Sequence, residues 1–283
     1  IEKVVQKILN DVKINSDKAV IRLTKKFDNF NVNSFWQLKV TNDEINTALK
    51  ITNKKLINAI RKAYERIKNY HKRQFPKDDF YKDKQGVLLG SKWNPINSVG
   101  LYVPGGTASY PSSVLMNAIP AMLAGVKRIV IVNPVRDKNQ SAAVLYAAKK
   151  IGVSEILSMG GAQAIGSLAY VQKVNKIIGP GNIFVANAKK ELFGQVGIEG
   201  MIAGPSEITI LADNNSNIEE ITTSVIPQAE HDVKSQSILI TKSKKLANEV
   251  NKRVFVYLKN LPKKKVALKS LKTNGLIILI KDD

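Results

Sequence analysis

The sequence predicts an α/β protein, with mostly parallel sheets flanked by helices behind a helical N-terminal region. Three observations predict it. From about residue 96 onward, short apolar β-rich runs alternate with helical stretches. Glycine-rich turns close several of those runs. Before that point, apolar residues instead recur at spacings of three and four.

The elements follow in chain order. Residues 1–27 carry Val5, Ile8, Leu9 and Val12, then Val20, Leu23 and Phe27, which predicts a long amphipathic helix. "TNDEINTALK" opens a second helical region, where Thr41 and Glu44 stand at capping-box spacing and satisfy free N–H groups at the helix start. Leu56, Ile60, Ala63, Ile67 and Tyr70 continue the stripe until Pro76 ends it. "SVGLYVPGG" reads as a strand with a Pro-Gly-Gly turn, and "PSSVLMNAIPAMLAGV" as a helix that Pro120 should kink. "RIVIVNPV" is β-rich, and "NQSAAVLYAAKKIG" is a helix ended by Gly152. "EILSM" then "GGAQAIGSLAYV", and "VNKIIGPG" then "NIFVANAKKELFG", each give strand, turn and helix. "SEITILAD", "SQSILIT" and "GLIILI" are further strands.

Composition sets bounds on function. A chain of 283 residues with 44% hydrophobic residues can fill one or two domains. The absence of cysteine excludes disulfides, thiolate nucleophiles and Cys-based zinc sites, and fits a cytoplasmic protein. No apolar run approaches the length of a membrane-spanning helix, so no membrane partner is expected. The first residues are amphipathic and carry acids, unlike a signal peptide. There is no initiator Met, and the last residues follow directly on a strand-like run, so both ends read as those of a fragment. The net charge of +21 raises nucleic-acid binding as an alternative. The lysines are nevertheless scattered apart from clusters such as Lys263–Lys265, and no aromatic-plus-basic pattern accompanies them. Charge is the only feature in favour of that alternative.

Several motifs can carry chemistry. The turns Tyr102–Gly106, Gly160–Gln163 and Gly179–Asn182 fall at the carboxyl ends of predicted strands, where such folds bind ligands. Each can aim backbone N–H groups at an anion, but each alone is more readily read as a tight turn that needs glycine. Together on one sheet edge they predict a cleft. No G-x-G-x-x-G follows a strand, and no G-x-x-x-x-G-K-[ST] is present. Ser206 follows a Gly-Pro turn and can hydrogen-bond a substrate, but no base stands near it in sequence. In "QAEHD", Gln228 and His231 project about 60° apart on a helix, and Glu230 faces elsewhere. Zinc takes about four donors, so the local pattern favours a polar helix end over a metal site. Pro227 removes a backbone hydrogen bond there. His71, in the exposed basic stretch "NYHKRQFP", is read as a surface or packing residue with no role assigned.

Taken in order, "GLYVPGG", "GGAQAIGSLAY", "KIIGPGNIFV", "AGPSEITILAD" and "QAEHD" resemble histidinol dehydrogenases, along essentially the whole chain. The resemblance implies NAD-dependent oxidation of L-histidinol through the aldehyde to L-histidine, with one zinc ion per subunit holding the substrate. It implies that Tyr102, Gln163 and Asn182 contact NAD, that Ser206 binds substrate, and that Gln228 and His231 ligate zinc beside the substrate. Asp232 matches no ligand position of the family. Two incomplete Rossmann-like domains are implied: residues 1–100 with 209–283, and residues 101–208. The resemblance also implies an intertwined homodimer sharing its active sites. It places a catalytic Glu-His pair and two more zinc ligands, an Asp and a partner-subunit His, beyond Asp283. This chain would then hold no catalytic residue and be inactive alone. A dehydrogenase of another amino alcohol remains open as a further alternative.

Overall fold

The computed structural model describes residues 1–105, 110–134, 142–199, 206–261 and 263–281. Of the sequence-predicted features, Gly106, Val135, residues 139–141 and the Gly204-Pro205 turn lie outside them. The chain divides into two compact units, Ile1–Ile202 and Ala203–Asp283. Both contain a parallel sheet flanked by helices, the Rossmann-like architecture expected from the sequence.

In the first unit, helix α1 spans Glu2–Asp28 and buries Val5, Ile8, Leu9, Val12, Ala19, Val20 and Leu23. The spacing is the predicted one, but the helix is interrupted at Ser16, whose φ of 48° is non-helical. Phe27, counted into the stripe from the sequence, is about half exposed. Helix α2 spans Asn42–Ile51, and the Thr41–Glu44 capping box forms in both directions. Helix α3 spans Lys54–Lys72 and buries Ile60 and Tyr64. Leu56 and Tyr70, at its two ends, stay exposed. A hairpin that the sequence reading did not anticipate follows: β1 (Asp79–Lys82) pairs antiparallel with β2 (Leu88–Ser91). Asp83 shapes its turn by accepting hydrogen bonds from the backbone of Gln85 and Val87.

The main sheet comes next. Its strands are β3 (Ser98–Tyr102), β4 (Arg128–Val132), β5 (Glu155–Leu157), β6 (Lys176–Ile178) and β7 (Gly197–Ile198). Helices α4 (Pro111–Leu123), α5 (Ala142–Ile151), α6 (Gly161–Gly166) and α7 (Ile183–Glu191) alternate with them. All pairings are parallel, in the order β5-β4-β3-β6-β7. The chain therefore builds outward from β3 in one direction, then returns to its other side at β6. Every residue of β3 is buried, as suits a central strand covered on both faces. Alternation along β4 sends Val130 and Val132 into the core beside α1 and α6, and Ile131 into the core beside α2–α5. Gly166 makes room for α1: a Cβ there would lie 3.2 Å from Leu9 and 3.3 Å from Val12.

The second unit holds β8 (Glu207–Ala212), α8 (Ile218–His231), β9 (Gln236–Thr241), α9 (Lys244–Leu258), α10 (Lys264–Asn274) and β10 (Gly275–Leu279). Its sheet is parallel in the order β10-β9-β8. Ile221, Val225 and Ala229, four residues apart on α8, pack with Leu239, Leu246, Val250 and Val254. The Asn217 side chain caps α8 by accepting from the Glu219 and Glu220 N–H groups. Glu219 and Glu220 then complement the positive end of the helix dipole. Pro227 is accommodated inside α8, which runs on to His231.

Candidate functional site

The order of the main sheet fixes where a ligand can sit. Strand order reverses between β3 and β6, and the crevice beyond the carboxyl ends of such neighbours is the usual binding position. A cavity of about 250 Å³ lies there, lined among others by Asp28, Tyr102, Gln163, Asn182 and Phe184. Tyr102, Gln163 and Asn182, selected from the sequence at three separate turns, thus meet around one space.

Each is held by the backbone around it. Tyr102 ends β3, is buried, and accepts a hydrogen bond from Gly161 N through its hydroxyl at 3.2 Å. Burial pushes the Tyr102 phenol up to about 12, helped by the Asp28 charge and opposed by the Gly161 N–H. The hydroxyl is therefore neutral at physiological pH. Gly161 has a φ of +62°, which suits a residue without Cβ. Asn182 caps α7: its Oδ1 accepts from Phe184 N at 3.0 Å and Val185 N at 3.1 Å. The Asn182 amide nitrogen is left as its donor.

Residues that the sequence did not single out complete the arrangement. Asp28, at the end of α1, accepts from Gly160 N at 3.0 Å and from Gln163 Nε2 at 3.2 Å. Asn133 Nδ2 donates to Val103 O at 2.9 Å and Pro104 O at 3.2 Å, tying the loop after β3 to the loop after β4. Lys189 Nζ donates to Gly179 O at 2.8 Å and pairs with Glu199, which accepts from Gly179 N at 3.1 Å. Gly179 needs this bracing because it is pressed against the Tyr102 backbone with φ +117°. No local sequence pattern marks Asp28, Lys189 or Glu199, since each acts on residues brought near only by folding.

The second unit presents Ser206, Gln228 and His231. Ser206 is exposed ahead of β8, its carbonyl accepting from Gln236 N. Gln228 and His231 lie one turn apart at the end of α8, His231 exposed and Gln228 half-buried. Gln228 Nε2 is buried without a hydrogen-bond partner. Among the described residues, no hydrogen bond joins these three side chains to one another, and no group of three or more His, Asp or Glu gathers for a metal. A neutral amide oxygen and an imidazole are suitable zinc donors, whereas the orphaned Gln228 Nε2 is a hydrogen-bond donor and would not itself bind the metal. The donor types fit zinc, but two donors fall short of the usual four. Asp232 instead accepts from Lys234 N and shapes the turn after α8.

A family model, "Histidinol dehydrogenase", matches residues 1–283. The chain belongs to the histidinol dehydrogenase family. It is 50% identical to the histidinol dehydrogenase of Pelagibacter ubique over 281 residues, 98% of this chain and 64% of that protein. The histidinol dehydrogenase of Bacillus licheniformis is 49% identical over 280 residues, 97% of this chain and 65% of that protein. The crystal structure of histidinol dehydrogenase from Elizabethkingia anophelis superimposes with a TM-score of 0.92 at 36% identity, over 98% of this chain and 64% of that one. The chain thus spans about 64–65% of the length of the curated histidinol dehydrogenases named here. Among the described residues, no helix is long and apolar enough to cross a membrane.

Proposed function

We propose that the complete protein carrying this chain oxidises L-histidinol through the aldehyde to L-histidine, using two NAD⁺ in succession and one zinc per subunit. The family match over residues 1–283 carries this reading. It is supported by Tyr102, Gln163 and Asn182 lining one cavity at the strand-order switch. In this reading the cavity receives one end of NAD. Neutral Tyr102 and the Asn182 amide donate hydrogen bonds, Gln163 anchors the ligand through its own amide, and Phe184 shields it from water. Ser206 binds substrate, and Gln228 and His231 contribute two donors to zinc. Bound zinc would hold the substrate imidazole and amine, fixing the carbinol for hydride transfer to NAD⁺.

The proton-transfer groups, a Glu-His pair, lie outside this chain in the same reading, as do the other zinc donors. The complete protein is a cytoplasmic homodimer with shared active sites. In it, residues 1–100 and the segment from about 209 onward count as the first Rossmann-like domain, and residues 101–208 as the second. The test is direct. The complete protein should bind about one zinc per subunit and form NADH only with histidinol present, whereas the 283-residue chain alone should not turn over. A complete protein without metal and without histidinol-dependent NADH formation sinks the reading. Salt-dependent retention of RNA with no dehydrogenase activity would instead support the basic-protein alternative.

A further inference from the structure

We propose that Asp28 is a positioning residue: it orients the Gln163 amide so that the cavity accepts a hydrogen bond from an exocyclic –NH2 group of the bound dinucleotide. The proposal rests on the cavity being the NAD site. An unrestrained glutamine amide can turn either its oxygen or its nitrogen toward a ligand. Here the choice is made by Asp28. Its Oδ2 already accepts from Gly160 N at 3.0 Å, and Gln163 Nε2 donates to the same oxygen at 3.2 Å. A carboxylate has no hydrogen to offer, so only the nitrogen end of the amide can face it. Oε1 is then the acceptor left over, and among the described residues it has no hydrogen-bond donor of its own. Gln163 lines the cavity, so Oε1 is the end of its amide left to a ligand there.

The neighbouring group sharpens the preference. The Tyr102 hydroxyl accepts from Gly161 N, which leaves its own hydrogen to donate. The cavity thus offers one acceptor and one donor on residues that line the same space. A ligand that answers both carries an amine beside an acceptor. NAD has this pattern twice, in the nicotinamide carboxamide and in the amine edge of adenine.

The two ends are separated with two analogues. Acetylpyridine adenine dinucleotide replaces the carboxamide –NH2 by methyl, and nicotinamide hypoxanthine dinucleotide replaces the adenine amine by a carbonyl. Dissociation constants for both and for NAD⁺ are measured by calorimetry on the complete protein. The wild type should bind one analogue about tenfold more weakly than NAD⁺, which identifies the docked end. Asp28→Ala should reduce that ratio to within about twofold, because a freed amide can turn its nitrogen to the ligand. General weakening of the site would leave the ratio unchanged. If Asp28→Ala does not fold, a paired exchange decides. Gln163→Glu sets two carboxylates face to face and should weaken NAD⁺ about tenfold or more. Adding Asp28→Asn supplies the missing donor and should restore affinity to within about threefold.

A ratio preserved in Asp28→Ala, a wild type that discriminates against neither analogue, or no rescue by Asp28→Asn overturns the proposal while the NAD site stands. If Gln163→Leu leaves NAD⁺ affinity unchanged, the assignment of the cavity to NAD fails, and the proposal with it.

Discussion

The cavity beside β3 and the end of α8 treat their polar side chains differently. Around the cavity, Tyr102, Gln163 and Asn182 are each hydrogen-bonded to other groups of the chain. At the end of α8, Gln228 Nε2 is buried with no partner, and the His231 side chain is exposed. The first set is held in place by neighbouring groups of the fold; the second, among the described residues, is not gathered with further His, Asp or Glu side chains. On the proposed reading, the difference teaches that the described residues finish one binding site and leave the other short of ligands.

The largest expected effect comes from breaking the finished site at its tightest point. In Gly179→Val, the new Cβ would meet the Tyr102 carbonyl at a φ of +117°. A loss of roughly 3 kcal/mol or more in denaturant unfolding is expected, together with loss of NAD⁺ binding. Gly152→Ala is the control. Its φ is +94° but nothing lies within 4 Å, so it should cost only about 1–2 kcal/mol. Next comes Lys189→Met, which leaves Glu199 without its cation. Removing one partner of a fully buried pair costs about 3–5 kcal/mol. Glu199 is 32% exposed and regains water, so about 2 kcal/mol is expected, part of it recovered by adding Glu199→Gln.

Much of this comparison was legible in the sequence, for a physical reason. The Thr41–Glu44 box and the glycine turns at 160–161 and 179–181 are local features, set by residues a few positions apart. The stripe of α1 was equally legible, but its interruption at Ser16 was not, because apolar periodicity reports a face and not a backbone angle. Asp28 was missed because it acts on Gln163, 135 positions away. Lys189 and Glu199 were missed because among so many lysines nothing local marks the one that folding buries. The hairpin at 79–91 was missed because its strands are short and exposed, with no buried face to impose alternation.

Smaller effects sharpen the contrast. Tyr102→Phe removes the acceptor for Gly161 N–H, and should cost about 1 kcal/mol in stability and about five- to tenfold in NAD⁺ affinity. It also tests a pH dependence. The Tyr102 phenol rises from 10.0 to about 12 on folding. Folding thus favours its neutral form, so its contribution is fully present below pH 10 and is lost as pH rises through about 12. The wild type should lose stability over that alkaline window more steeply than Tyr102→Phe does. The smallest effect on folding is expected at α8. His231→Ala should change stability by less than about 0.5 kcal/mol, because the side chain is exposed. Gln228→Met should be neutral or stabilising by up to about 1 kcal/mol, because it removes an unsatisfied buried amide N–H group. Both substitutions should lower zinc affinity of the complete protein by at least about tenfold, measured by competition with a chelator.

The one buried lysine among the described residues separates capture of a ligand from its retention. On the proposed reading, a net charge of +21 carried mainly in solvent draws an anionic dinucleotide, and dissolved salt screens that attraction beyond about 8 Å at physiological ionic strength. The Lys189–Glu199 pair lies inside that shield, with the lysine side chain only 6% exposed. Ionic strength would therefore act on how fast a dinucleotide arrives, while the turn at Gly179 that Lys189 and Glu199 brace keeps its shape.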